Sequence, residues 1–166
     1  MQKQLIKWYQ ENKRDFPWRK DQDPYHIWIS EIMLQQTTTE TVIPYYNRFL
    51  KNFPNVEALA SASLEEVYKM WEGLGYYRRA KHIHESAQII LEKYQGVFPY
   101  EYDAILSLKG IGEYTAGAIS SIAYGKQVPA VDGNVLRIIS RYYLIKENIA
   151  ETKVQKKIYQ IVQELI

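Results

Sequence analysis

The 166 residues are enough for one substantial core or two small lobes sharing a cleft, and too few for several independent domains. With 46% hydrophobic and 24% charged residues the chain has the composition of a folded globular protein, and its formal charge of +2 is too small to identify a partner. The complete lack of cysteine excludes disulfides, thiolate metal sites and a cysteine nucleophile. No apolar run has the length of a membrane span, and the start MQKQLIKWYQENKRD lacks the apolar stretch of a signal peptide, which points to a cytoplasmic protein.

Apolar residues recur at helical spacing over 5–9, 27–34, 42–50, 64–71, 83–91, 105–108, 118–123, 135–144 and 154–166, so an all-α protein is expected. Phe16-Pro17, Asp23-Pro24, Phe53-Pro54, Gly73-Leu74-Gly75, Phe98-Pro99, Gly110-Ile111-Gly112 and Gly125 punctuate the connectors. No low-complexity linker and no fixed-period repeat interrupts this pattern. The last stretch, ETKVQKKIYQIVQELI, ends on an apolar position of an amphipathic helix without a Gly or Asn cap, which reads as a cut within a longer chain.

Four segments can carry chemistry. In WISEIMLQQT a single carboxylate, Glu31, interrupts an almost wholly apolar helix, with Ile27 one turn before it and Leu34 one turn after. Desolvation there favours the neutral acid, the state required of a proton donor near neutral pH. A surface glutamate bordering a core stripe has the same local pattern.

In WEGLGYYRRAKHIH, the aromatic pair Tyr76-Tyr77 on a glycine turn is followed by Arg78, Arg79 and Lys81. Aromatics beside cations suit stacking or wedging together with phosphate contact, and a solvated helix start accounts for the charges equally well. His82 and His84 lie two apart, on different helix faces, and do not form a metal pair. In LKGIGEYTAGA, a short helix ending near Lys109 leads through Gly110 and Gly112 into a second helix beginning near Glu113. The free amides and positive dipole end of that second helix make a phosphate site, unless the segment is an ordinary αα-hairpin. The small residues Ala116, Gly117 and Ala118 allow the second helix to pack closely. In PAVDGNVLRIISR, Asp132 is a natural N-cap, and Val131 with Leu136 has the spacing of a hydrophobic staple. The same amides that make it a cap favour its ionised form. A neutral acid at Glu31 and a charged carboxylate at Asp132 would together suit cleavage of a glycosidic bond through an oxocarbenium-like transition state.

Taken together, PWR, SEIMLQQT, WEGLGYYRRA, LKGIGEYTAGAI and AVDGNVLR occur in an order and spacing that resemble the MutY branch of the helix-hairpin-helix DNA glycosylases, along essentially the whole chain. The resemblance implies two helical lobes with the active-site cleft between them: a middle lobe over 18–125 containing the hairpin, and a second lobe from 1–17 plus 126–166. It implies excision of adenine mispaired with 8-oxoguanine or guanine in double-stranded DNA, by a monomer acting after base flipping. Glu31 matches the acid that protonates adenine at N7, and Asp132 the carboxylate that stabilises or captures the sugar cation. Tyr114 and Asn134 match residues that assist there. Trp18 and Arg19 match the base pocket, Gln36 and Tyr76 the groups inserted into the duplex, and Gly110 and Gly112 the phosphate-binding hairpin; from the residues alone, Arg78 and Arg79 are expected to add phosphate contacts if they face the DNA. Tyr114 stands where endonuclease III-type relatives carry a nucleophilic lysine, so a lyase step is not expected. The family ordinarily continues into a four-cysteine loop holding a 4Fe-4S cluster, then a C-terminal domain that reads oxidised guanine. The cluster is therefore expected in the full-length parent and no cofactor in this chain. A thymine- or oxidised-pyrimidine-specific relative and a non-catalytic helix-hairpin-helix DNA-binding module are the alternatives; retention of both Glu31 and Asp132 argues against the module, since phosphate binding requires neither.

Overall fold

A computed structural model describes residues 2–166 and contains helices and turns but no strand among them. Ten α-helices follow in order: α1 Gln2–Asn12, α2 Pro24–Leu34, α3 Thr39–Asn52, α4 Val56–Ser61, α5 Leu64–Trp71, α6 Arg78–Tyr94, α7 Tyr102–Leu106, α8 Glu113–Tyr124, α9 Gly133–Tyr142 and α10 Thr152–Leu165. A 3-10 turn, Pro17–Arg19, precedes α2. All-α architecture is as the apolar periodicity predicts.

The middle of the molecule is organised around α2. The Asp23 side chain accepts a hydrogen bond from the Tyr25 amide, and Pro24 occupies the first turn, where no amide partner is needed, so the helix starts sharply. Its interior residues Ile27, Trp28, Ile29, Ile32 and Met33 are buried on nearly every side, the signature of a helix inside a bundle. It packs on α3, α6 and α8, while α6 packs on α4 and α5, and α7 lies against α8. Phe49, Leu59, Val67, Trp71, Ile83, Ile90, Ile105 and Ile119 complete this core. A second, smaller cluster of Ile139, Val154 and Ile158 joins α9 to α10, with Val131 and Leu136 packed at its edge as the staple spacing predicts.

Two elements differ from the sequence reading. The segment 56–61 is a helix, capped by Asn55 on the Ala58 amide, but at six residues it is too short to show a period. The helix predicted to run to Leu144 stops at Tyr142; Leu144 adopts φ 52° and is 80% exposed, because the turn reverses the chain toward α10 before that side chain can reach the core.

Candidate active site

Glu31 projects from α2 into a cavity of about 160 Å³ lined by Tyr9, Trp18, Arg19, Asp21, Gln22 and Ile27, with Ser30 and Ile122 beside them. Its volume is on the scale of one nucleobase. Trp18 is 6% exposed and stacks on Phe16 with ring centroids 5.0 Å apart, which fixes its plane; it also meets Tyr46 edge-on. Arg19 is exposed at the rim and donates to the Tyr9 hydroxyl at 3.2 Å. Burial pushes the Glu31 carboxyl above the usual glutamate range, and the Asp132 carboxylate adds to the rise, while the Tyr114 hydroxyl beside it and the Arg19 charge pull the other way. Tyr114, at the start of α8, is in turn held above the usual phenol range by burial and by the two carboxylates. Tyr114 at the start of α8 and Asp132 at the start of α9 thus both bear on the Glu31 carboxyl of α2.

Asp132 is the N-cap of α9. It accepts from the Asn134 amide at 3.0 Å, the Val135 amide at 2.8 Å and the Asn134 side-chain nitrogen at 2.7 Å. Asn134 in turn accepts from Arg137. The carboxylate is oriented by three donors and half-buried. The segment leading into it lies against α8 at Gly117, where an added Cβ would stand 2.1 Å from the Pro129 carbonyl oxygen. Only glycine permits that approach.

On another face, Gly112 caps α8 without a side chain, which leaves the first amides of that helix free to bind an anion. Gly110 has φ 78°, and its missing Cβ is the space occupied by His82, 2.9 Å from where such an atom would be. The hairpin is anchored to α6 by Ser86, which donates to the Lys109 carbonyl at 3.2 Å, and by the Lys109–Glu85 ion pair at 3.0 Å. Gln36, Tyr76, Arg78, Lys109 and Gly110 line a shared concavity of about 560 Å³. Tyr76 is 63% exposed and Gln36 is exposed as well; both adopt left-handed backbone angles, φ 51° and φ 57°.

One residue departs from its expected place. Arg79 does not present its charge to the surface: it is 9% exposed, and its guanidinium donates inward to the carbonyls of Ile32, Met33, Gln35 and Gly75 and to the Thr37 hydroxyl. The helix period decides this, since α6 turns Arg79 and Ala80 toward the core and leaves Arg78 and Lys81 outside. Sequence reasoning missed Tyr9, Asp21, Gln22, Ser30 and Ile122 as cavity residues. Asp21 and Gln22 adjoin the PWR motif and could have been taken with it, and Ser30 adjoins Glu31; nothing local marks Tyr9 or Ile122. His84 is buried, 2.8 Å from the Ala62 carbonyl, and serves the packing of α6. Without cysteine the chain's own residues do not fit an iron–sulfur cluster, and no group of three or more His, Asp or Glu side chains suited to a metal occurs among the described residues. No helix among them is long and apolar enough to cross a membrane.

A bundle of helices with a bare-amide hairpin on one face, a buried acid at the wall of a small cavity and a second carboxylate near that acid has the arrangement of the helix-hairpin-helix DNA glycosylases. The family model described as the HhH-GPD superfamily of base excision DNA repair proteins matches residues 29–164, and the chain belongs to that superfamily. It is 46% identical over 162 residues to the adenine DNA glycosylase of Buchnera aphidicola subsp. Acyrthosiphon pisum, covering 97% of this chain and 46% of that protein. Against the adenine DNA glycosylase of Homo sapiens it is 42% identical over 171 residues, 98% of this chain and 31% of the relative. The chain therefore spans less than half the length of these relatives. Among solved structures, a thermostable thymine-DNA glycosylase superposes with TM-score 0.89 at 31% identity over 99% of this chain and 76% of that one. A non-covalent endonuclease III–DNA complex shares the fold with TM-score 0.76 at 23% identity, over 98% and 80% of the two chains.

Proposed function

We propose that this chain is the catalytic part of an adenine DNA glycosylase, hydrolysing the N-glycosidic bond of adenine mispaired with 8-oxoguanine or guanine in double-stranded DNA. The observation that carries the reading is Glu31 at the wall of a nucleobase-sized cavity, its carboxyl raised above the usual range by burial, with Asp132 near enough to add to that rise. An adenine turned out of the duplex enters between Trp18 and the Arg19 rim. Glu31 gives its proton to N7, which makes the base a neutral leaving group as the bond from C1′ to N9 breaks. Positive charge then develops on the sugar, and Asp132, oriented by its cap amides and Asn134, stabilises or captures it. Water adds at C1′, and its proton restores Glu31. Tyr114 keeps a hydroxyl at this centre and has no amine for Schiff-base chemistry, so the reaction stops at the abasic sugar. The α8 amides, with Gly110, Gly112 and Arg78, hold phosphates, while Gln36 and Tyr76 enter the duplex.

The likeness to adenine DNA glycosylases of 46% and 42% identity supports adenine as the base. The 4Fe-4S cluster, and most of the preference for 8-oxoguanine, belong in this reading to further chain in a longer parent, which acts as a cytoplasmic monomer. The test is release of adenine, read as strand cleavage after alkali, from duplexes carrying adenine opposite guanine and opposite 8-oxoguanine, over a range of salt. The chain should release adenine from both, bind more weakly as salt rises, and prefer 8-oxoguanine less than a C-terminally extended version does. A second substrate is included because of the thymine-DNA glycosylase likeness: release of thymine opposite guanine, without release of adenine, would replace the adenine reading by that one.

A further inference from the structure

We propose that Arg79 is a positioning residue that locks Gln36 and Tyr76 into a single rigid wedge for entry into DNA; this rests on the duplex-entering role given to those two residues above. They stand on separate turns, one after α2 and one before α6, and reach the same concavity. Each is a non-glycine residue in the left-handed region, with φ 57° and φ 51°, an uncommon conformation for side-chain-bearing residues and one that surrounding contacts can impose. Arg79 supplies that imposition for both. One guanidinium nitrogen donates to the Ile32 carbonyl at 2.9 Å, to the Met33 carbonyl at 2.8 Å and to the Gln35 carbonyl. The other donates to the Thr37 hydroxyl at 3.2 Å and to the Gly75 carbonyl at 3.3 Å.

The acceptors therefore bracket Gln36 on both sides and immediately precede Tyr76. The guanidinium carbon also lies 5.5 Å from the ring centroids of both Trp71 and Tyr76, so the base of the wedge is tied to the core on one side and to the inserted ring on the other. At the end of α2 the helix no longer supplies an amide one turn on to each carbonyl, and a planar fork answers several of them at once. A lysine ammonium has the charge but not the reach. Arg79 is 9% exposed at the wall of that concavity and its guanidinium is hydrogen-bonded inward, so its action on DNA runs through the two residues it holds.

The test uses a duplex with the fluorescent base 2-aminopurine in place of the target adenine, which brightens when it leaves the stack and so reports extrusion without any chemistry. Arg79→Lys should bind this duplex within about threefold of the unsubstituted chain, because the hairpin phosphate contacts are intact. The brightening should fall by at least about half, and single-turnover release of adenine from the matching substrate by about tenfold or more, since a misplacement near 1 Å is enough for such losses. In a Gln36→Ala/Tyr76→Ala background the same substitution should add nothing, which separates positioning from general support of the fold. Wild-type brightening in Arg79→Lys, or effects that add in the cycle, would overturn the proposal, and so would a quenched probe with the unsubstituted chain. If Arg79→Lys does not fold by circular dichroism, Thr37→Val, which removes one of its acceptors, runs the same cycle with the same two outcomes. Brightening and a non-additive cycle without any base release would leave this inference standing and defeat the adenine glycosylase reading.

Discussion

Replacing Gly117 with alanine should damage catalysis far more than folding. The new methyl would stand 2.1 Å from the Pro129 carbonyl oxygen and 3.0 Å from its carbon. Ordinary contact needs about 3.4 Å, so α8 and the 129–130 backbone must separate by roughly 1 Å. Tyr114 lies one turn before Gly117, and Asp132 follows Pro129 by three residues, so the displacement falls on the spacing between two members of the Glu31–Tyr114–Asp132 group. Overpacking of this kind costs about 1–3 kcal/mol. Exchanging a helical glycine for alanine returns about 1 kcal/mol, leaving a net destabilisation of about 0–2 kcal/mol. A shift near 1 Å at reacting groups can lower the rate by about 10²-fold. Single-turnover adenine release measured beside thermal melting distinguishes the two effects. A variant that melts close to the unsubstituted chain and releases adenine at the same rate would show that the close approach at Gly117 does not set the position of Asp132.

Glu31→Gln should reduce adenine release by about 10²–10⁴-fold or more while leaving duplex binding largely unchanged, as kinetics and gel-shift titration would show. The same variant should be more stable than its parent near neutral pH. Because the folded carboxyl titrates above the usual glutamate range, the unfolded chain ionises first as pH rises, so Glu31 costs stability above that range and the advantage of glutamine vanishes below it; melting at pH 4 and pH 7 tests the sign. Asp132→Asn should preserve the melting temperature, since asparagine caps a helix about as well, yet lose activity with the counter-charge; equal losses of both would make the residue a cap and nothing more. Tyr114→Phe removes a group that pulls the Glu31 value down, so the decline of rate on the alkaline side should move to higher pH, and a pH–rate profile that stays in place would remove Tyr114 from the acid's surroundings.

How much of this is legible in the sequence depends on how far apart the partners lie along the chain. The α2 helix announces itself through a cap, a proline and an almost wholly apolar run, and the solitary acid Glu31 within that run already marks a desolvated carboxyl. The Asp132 cap and the Gly110–Gly112 hairpin are local devices too, readable from a few residues. What local pattern does not contain is which face of a charged helix start turns inward. Arg78 and Arg79 are chemically alike and adjacent, and only the packing of α6 on α2 and α5 separates them into an outer cation and an inner clamp. Tyr9 and Ile122 reach the cavity from helices distant in sequence from Glu31, so their place is a product of tertiary assembly. Leu144 shows the opposite failure, a helical pattern that ran on past the point where the turn geometry prevailed.

The first helix closes the cavity without belonging to the core. No residue of α1 is buried, its apolar side chains Leu5, Ile6 and Trp8 are each more than half exposed, and its polar ties are the Arg19–Tyr9 bond and a bond from Gln2 to the Leu165 carbonyl. An element with so little buried area can detach at a small fraction of the free energy needed to unfold the bundle behind it. Amide hydrogen exchange should therefore reveal two populations, with α1 exchanging long before α2 and α8. Because Tyr9 is part of the wall, that local opening would also uncover Arg19 and the mouth above Glu31, so the lifetime of a trapped base would be tied to a helix that buries none of its residues.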